Sequence, residues 1–198
     1  MSERFNTEVL IVGTGISGLL AAIKLSERYS VTILSKSSLN DCSTAWAQGG
    51  IAAVIATKDN FNNHIKDTIN NGHEICNTNS VQQIIKQGKD SIELLLNYGV
   101  NFNKKGKGLD QTLEGGHSHR RIVYHNDNTG EEIHSSLLRE AKKKKNIIIK
   151  ENIMVIDMIG KKENYCEGVY AYDKRNSYVV SIKAVSYTHL TLPTKCWV

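Results

Sequence analysis

Two hydrophobic rhythms alternate along this chain. Glu8-Val9-Leu10-Ile11-Val12 is a short, nearly continuous apolar run, the pattern of a strand buried on both faces of a parallel sheet. Past a cluster of glycines, Ile16, Leu19, Leu20 and Ile23 recur at the spacing of one helix face, which predicts a helix ending near Arg28. Val31-Thr32-Ile33-Leu34 is a second β-branched run. Strand, glycine turn, helix and strand, in that order, describe a parallel crossover.

After these elements the rhythm loosens. Ser35 to about Gln48 reads as a long loop, and Asn62 to Asn71 as a helix. Ser80-Val81-Gln82-Gln83 has the form of a capping box, opening a helix with apolar positions Val81, Ile84, Ile85, Ile92, Leu95 and Leu96. Tyr98-Gly99 ends that helix in a glycine stop. Asn103 to Gln111 is rich in Gly and Lys and reads as an exposed loop. Arg121 to Tyr124 predicts a strand and Thr129 to Lys144 a helix, with strands again at Ile147 to Ile149 and Ile153 to Ile156. Glu167 to Tyr172 and Tyr178 to Ile182 flank a polar turn, the pattern of a β-hairpin.

Composition narrows the class without changing this outline. The 198 residues are enough for one core of ordinary size, and 40% hydrophobic with 23% charged residues is a globular balance. Met1 to Thr7 is polar and the apolar run after it is too short for a signal sequence. No apolar run reaches membrane-spanning length, so the expected compartment is the cytoplasm, with no membrane partner. Cys42, Cys76, Cys166 and Cys196 form no C-x-x-C pair, which argues against a zinc ribbon and fits reduced thiols. The net charge of +5 owes much to Lys142 to Lys145. Cations at a helix C-terminus complement its dipole, and no aromatic residues interleave with them, so no nucleic-acid partner is expected.

The chemistry is concentrated in three segments. Gly13-Thr14-Gly15-Ile16-Ser17-Gly18 follows a strand and opens a helix, the context that turns G-x-G-x-x-G into a dinucleotide fingerprint. The first glycine permits a tight turn, the second lets backbone approach a pyrophosphate, and the third lets helix pack on strand. The acidic residue that holds ribose hydroxyls at the end of the second strand is missing; Leu34, Ser35 and Lys36 stand there. That weighs against an NAD-dependent dehydrogenase, and leaves Lys36 to meet a phosphate or a ribose edge. The second segment is Ser43-Thr44-Ala45-Trp46-Ala47-Gln48-Gly49-Gly50, and the third Glu114-Gly115-Gly116-His117-Ser118-His119-Arg120-Arg121. Taken alone, Glu114 reads as a loop carboxylate paired with Arg120 or Arg121. His117 and His119 have the spacing of two metal ligands on one face of a strand, but no third ligand stands at a usual spacing, and no metal is expected.

V-L-I-V-G-T-G-I-S-G-L, L-S-K and S-T-A-W-A-Q-G-G-I-A-A-V together resemble the flavoprotein subunits of fumarate reductase and succinate dehydrogenase and the related L-aspartate oxidases. The resemblance implies an α/β fold: a Rossmann-like FAD-binding domain of the fumarate reductase/succinate dehydrogenase flavoprotein type, incomplete at its C-terminus. It implies FAD contacts from Gly13, Thr14, Gly15, Ile16, Ser17, Gly18 and Lys36, and from Ser43, Thr44, Ala45, Trp46, Ala47, Gln48, Gly49 and Gly50. Respiratory members of the family carry a histidine, covalently bonded to the flavin, where this chain has Ser43. A serine hydroxyl makes no such bond, so FAD is expected to be held noncovalently.

The string E-G-G-H-S-H-R-R is similar to the L-aspartate oxidase signature, in which the residue matching Glu114 orients the substrate's amino group. That branch oxidises L-aspartate to iminoaspartate with O2, giving H2O2, or with fumarate, at the first step of de novo NAD biosynthesis through quinolinate. Quinolinate synthase is the partner enzyme it implies. A fumarate reductase or succinate dehydrogenase-like flavoprotein subunit is the alternative. Val185 to Thr194 resembles a translated sequencing-library adapter, so residues 185–198 are read as a non-native tail. Residues 1–184 are then the N-terminal part of the FAD-binding domain, without capping and helical C-terminal domains. The family's catalytic arginine and carboxylate-binding histidines lie beyond Ala184, and the fragment alone is expected to be inactive.

Overall fold

The computed structural model describes residues 4–73, 75–160 and 166–184; the suspected tail, 185–198, lies outside them. In chain order the elements are β1 (Arg4–Thr7), β2 (Val9–Val12), α1 (Ile16–Leu25), β3 (Val31–Leu34), α2 (Ser43–Trp46), β4 (Ile51–Ala52), α3 (Phe61–Asn71) and α4 (Thr78–Asn97). Then follow β5 (Lys104–Lys105), β6 (Gly108–Leu109), β7 (Gln111–Thr112), β8 (Ile122–Val123), α5 (Thr129–Lys143), β9 (Ile147–Lys150), β10 (Ile153–Ile159), β11 (Gly168–Asp173) and β12 (Tyr178–Ala184). The chain forms two compact units: residues up to Cys42 together with those from Glu140 onward, and Ser43–Arg139.

The first unit contains the crossover. β2, β3 and β9 form a parallel sheet in that order, with Val12 level with Leu34 and Leu34 level with Lys150. The double-sided burial expected of Val9–Val12 belongs instead to the central strand β3, where all four residues are buried. At the end of the described sheet, β2 leaves Val12 61% exposed. Helix α1 buries Leu19, Ala22 and Ile23. It stops at Leu25, short of Arg28, because the Ser26 hydroxyl donates back to the Ile23 carbonyl at 2.7 Å and the chain turns.

A second sheet in this unit has the order β1-β12-β11-β10. The expected hairpin is β11 and β12, antiparallel, with Asp173 opposite Tyr178. Leu34, Ile153, Val169, Ala171, Val180 and Ile182 form its core cluster. Strand β1, in a segment read only as polar, pairs in parallel with β12 and places Phe5 opposite Ile182. One apolar side chain among four residues is too weak a period to read from sequence.

In the second unit α3 and α4 pack together, and Ala53, Ile92, Phe102, Val123 and Leu137 are among the fully buried residues. Helix α4 begins two residues before the expected box: Asn77 is the cap, its side chain accepting from the Ser80 amide at 3.0 Å. Asparagine is among the strongest N-caps, so Ser80 supplies an amide and does not cap. The predicted loop at 103–111 contains a small hairpin, β5 with β6, turning through Gly106 at φ +62°. The long loop after β3 is interrupted by the single turn α2. Strand β8 pairs with both β4 and β7.

Candidate functional site

At the carboxyl end of the parallel sheet in the first unit, Val12 feeds the glycine turn and Leu34 leads to Lys36. Gly13 has φ +109°, a conformation glycine adopts without penalty. A Cβ on Gly18 would lie 2.2 Å from the Gly13 carbonyl oxygen, so no other residue fits there without moving backbone. Gly15 is the N-cap of α1. Thr14 is buried and its hydroxyl donates to Ser35 Oγ at 3.4 Å, which ties the turn to the end of β3. Lys36, one residue further, is exposed. The fold therefore sets Gly13–Gly18 and Lys36 at the same end of neighbouring parallel strands.

Ser43–Gly50 belongs to the second unit, where each residue is described against its own neighbours. Ser43 is exposed, Trp46 is 73% exposed, and Ala47, Gln48 and Gly49 are exposed. Thr44 and Ala45 are half-buried. The segment is seated by backbone: the Gly130 amide donates to the Ala47 carbonyl at 2.9 Å. A Cβ on Gly130 would lie 2.0 Å from the Thr44 carbonyl oxygen, so that glycine, at the start of α5, is what allows the segment to lie there. Nothing lies within 4 Å of a Cβ on Gly49.

The Glu114 loop is bound to α3 by charge. Arg121 is 0% exposed and grips Asp59 with two hydrogen bonds, Nε to Oδ2 at 2.8 Å and Nη2 to Oδ1 at 2.9 Å. Its Nη1 donates to Asp67 Oδ2 at 2.7 Å and meets His117 Nδ1 at 3.2 Å. The Ser118 amide and hydroxyl also donate to Asp67 Oδ2, at 2.8 and 2.7 Å. Asn71, one helical turn beyond Asp67, donates to the Gly116 carbonyl at 2.8 Å. Gly116 has φ +83°, and a Cβ there would lie 2.7 Å from the Asn71 amide. His64, on the same side of α3, is buried and meets the His117 ring edge-on at 5.6 Å between centroids.

These contacts correct one reading, the pairing of Glu114 with Arg121, and place the two loop histidines apart. Arg121 is committed to Asp59 and Asp67 and not to Glu114, which is exposed beside exposed Arg120. His117 and His119 do not act as a ligand pair: His117 faces Arg121, while His119 Nδ1 contacts Ser118 Oγ at 2.9 Å and Asp59 Oδ1 at 3.7 Å. Among the described residues no group of His, Cys, Asp and Glu is placed to hold a metal.

Burial opposes charge on Asp59 and Asp67, yet hydrogen bonds from Arg121, Ser118 and the Asn60 amide, with the Arg121 charge, hold both carboxyls below their ordinary range. Burial likewise works against the Arg121 charge, and the two carboxylates raise its pKa above the usual value in spite of it. Burial first, then the charge of Arg121, pushes His64 down to about 4.

A family model described as FAD binding domain matches residues 8–188. The chain belongs to the FAD binding domain family. Among curated relatives, L-aspartate oxidase of Acinetobacter baylyi is 39% identical over 180 residues, covering 87% of this chain and 33% of the relative. The L-aspartate oxidase of Clostridium acetobutylicum is 39% identical over 181 residues, covering 90% of this chain and 41% of the relative. The chain thus spans about a third of the length of the curated relatives it matches. Among solved structures, an Sdh1 complex of Mycobacterium smegmatis superposes with TM-score 0.85 at 26% identity, over 92% of this chain and 33% of that one. A variant of E. coli quinol fumarate reductase FrdA gives TM-score 0.86 at 24% identity, over 92% and 32%. The expected fold, that of the fumarate reductase and succinate dehydrogenase flavoproteins, is borne out.

FAD is the cofactor of this family, and the FAD binding domain presents a backbone that fits it. Around Gly13 a Cβ would find open space, while at Gly18 it would find none. That pairing leaves room for a pyrophosphate on one side of the turn and demands tight packing on the other. Among the described residues no helix is long and apolar enough to cross a membrane.

Sequence reasoning missed Asp59, His64, Asp67, Asn71 and Gly130. A signal was present for three of them: His64, Asp67 and Asn71 recur at helical spacing within a predicted helix, a polar stripe on one face. Gly130 carried no such signal, because its neighbours Thr44 and Ala47 are more than eighty positions away in the chain.

Proposed function

We propose that this chain is the N-terminal part of an L-aspartate oxidase, a cytoplasmic enzyme that oxidises L-aspartate to iminoaspartate with O2 or fumarate as acceptor. The observation that carries this reading is the 39% identity to L-aspartate oxidases over most of the chain, joined to an exposed Glu114 on a loop whose fold is fixed by a buried arginine. FAD, when bound, would accept the hydride that leaves Cα as the Cα–N single bond becomes an imine and the nitrogen gives up a proton, and would pass the two electrons to O2, forming H2O2, or to fumarate. Iminoaspartate would then be consumed by quinolinate synthase on the route to NAD.

The residues of this chain have distinct parts in that scheme. Gly13, Thr14, Gly15, Ile16, Ser17 and Gly18 hold the pyrophosphate by backbone amides at the α1 N-terminus, where the helix dipole favours negative charge. Lys36 offers an ammonium to a phosphate or ribose edge. Ser43, Thr44, Ala45, Trp46, Ala47, Gln48, Gly49 and Gly50 lie along the cofactor, and the Ser43 hydroxyl holds it without a covalent bond. The Glu114 carboxylate faces the ammonium of L-aspartate and orients it, an interaction that succinate cannot make. Residues 1–184 form the beginning of the FAD-binding domain and residues 185–198 a non-native tail.

The assay is peroxide release from L-aspartate by the full-length gene product, set beside turnover of succinate. Peroxide from L-aspartate and none from succinate is the expected pair of results. Succinate oxidation without L-aspartate oxidation would overturn the proposal in favour of a succinate dehydrogenase-like flavoprotein, the reading supported by the Sdh1 likeness. The 198-residue chain alone is expected to release no peroxide.

A further inference from the structure

We infer that Asp67 is a positioning residue for substrate recognition, acting through the loop that carries Glu114; the substrate half of this inference rests on the proposed oxidase reading. The physical basis is a single oxygen. Asp67 Oδ2 accepts from the Ser118 amide at 2.8 Å, the Ser118 hydroxyl at 2.7 Å and Arg121 Nη1 at 2.7 Å. Charge-assisted bonds to one carboxylate oxygen are strong, and here they converge from two points of the loop three residues apart.

Asp67 does not act alone on α3. Along one face of the helix, His64 stands against His117, Asp67 against Ser118 and Arg121, and Asn71 against Gly116. Three positions a helical turn apart thus hold the loop at 117, at 118 and 121, and at 116. Gly116 closes the sequence, because any side chain there would strike the Asn71 amide. Around it the His117 amide donates to the Glu114 carbonyl at 3.3 Å, closing a turn that fixes the backbone of Glu114. The Glu114 side chain itself is exposed, so its direction is set by this backbone and not by packing around it. A carboxylate that must face a substrate ammonium then depends on a helix it does not touch.

Asp67 is suited to the task for a reason its neighbours lack. The hydrogen bonds of Asp59 go to the guanidinium and to the Asn60 amide, and its one contact with the 114–120 loop is the His119 ring at 3.7 Å, so it chiefly secures Arg121 in place. Asp67 bonds both that guanidinium and the loop backbone, so it couples the buried charge to the loop's position.

Two measurements on Asp67→Asn test this. Hydrogen–deuterium exchange of the 198-residue chain should show faster exchange confined to amides 114–120, with α1 and β3 unchanged. In the full-length oxidase, KM for L-aspartate should rise about 10- to 100-fold, the range for losing one charge-assisted contact, with kcat little changed. KM for fumarate, which has no ammonium, should stay within about twofold. Ser118→Ala, which removes one of the three donors and no charge, should produce the same pattern at smaller size and covers the case that Asp67→Asn does not fold. Unchanged exchange at 114–120 in both variants overturns the inference. An equal rise in both KM values overturns the specificity role. If wild-type enzyme consumes no L-aspartate, the oxidase reading falls, while the exchange data still decide whether Asp67 holds the loop.

Discussion

The glycine turn of the first unit and the charged loop of the second solve the same problem by opposite means. Each must hold a short stretch of backbone in one shape. The turn does so by omission: Gly13 takes a left-handed conformation and Gly18 leaves no room for a Cβ. The loop does so by addition, with Arg121, Asp59, Asp67 and Ser118 joined in one hydrogen-bonded cluster. Omission is insensitive to pH and fails through steric overlap. Addition is sensitive to protonation and fails through an orphaned charge. Perturbing each region should expose the contrast.

The largest effect is expected from Arg121→Met. Removing one partner of a buried ion pair strands the others, and costs about 3–5 kcal/mol; urea unfolding should show that loss. Arg121→Lys should recover only part of it, since an ammonium cannot reproduce the fork that grips Asp59. Next comes Gly18→Ala, where a Cβ 2.2 Å from the Gly13 oxygen forces backbone to move. A cost of about 1–3 kcal/mol is expected, together with weaker FAD binding by flavin fluorescence quenching, while exchange at 114–120 stays as in wild type.

Acid provides the third test. His64 has its folded pKa lowered to about 4, below the unfolded value of about 6.5. The unfolded chain therefore binds a proton first, and stability present above about pH 6.5 is lost as pH falls toward 4. Asp59 and Asp67, also lowered, contribute stability that is present above the ordinary carboxylate range and lost below it. His64→Leu should flatten the first window in thermal melts and leave the second. An unchanged slope between pH 6.5 and 4 in that variant would remove His64 from the account. The smallest effect is expected from Asn60→Ala, which deletes the α3 cap bond to the Asn63 amide and should cost about 1 kcal/mol.

The same contrast explains what could be read from the chain. The glycine turn was legible because its residues are contiguous and their requirement is local: a strand before, a helix after, three glycines between. Strand β3, α3 and the β11–β12 hairpin were legible for the same reason, each being a period within one short window. The cap of α4 was misread because two polar residues three apart both suit the role, and only geometry separates Asn77 from Ser80. The Arg121 cluster was half legible. Its loop stood out as a motif, but the partners Asp59 and Asp67 lie more than fifty positions earlier, and a carboxylate on a helix reads as solvated surface until a fold brings an arginine to it.

The pairing of β1 with β12 has a consequence for the order of events at the ribosome. Arg4–Thr7 is made more than 170 residues before its partner Tyr178–Ala184. At about 5–20 residues per second the interval is on the order of 10–35 s. For that time β1 has no ladder to join, although the residues of the glycine turn, α1 and β3 have already been made. The β1–β12 ladder of the unit that holds the cofactor turn must therefore close late, after nearly all the described residues are made.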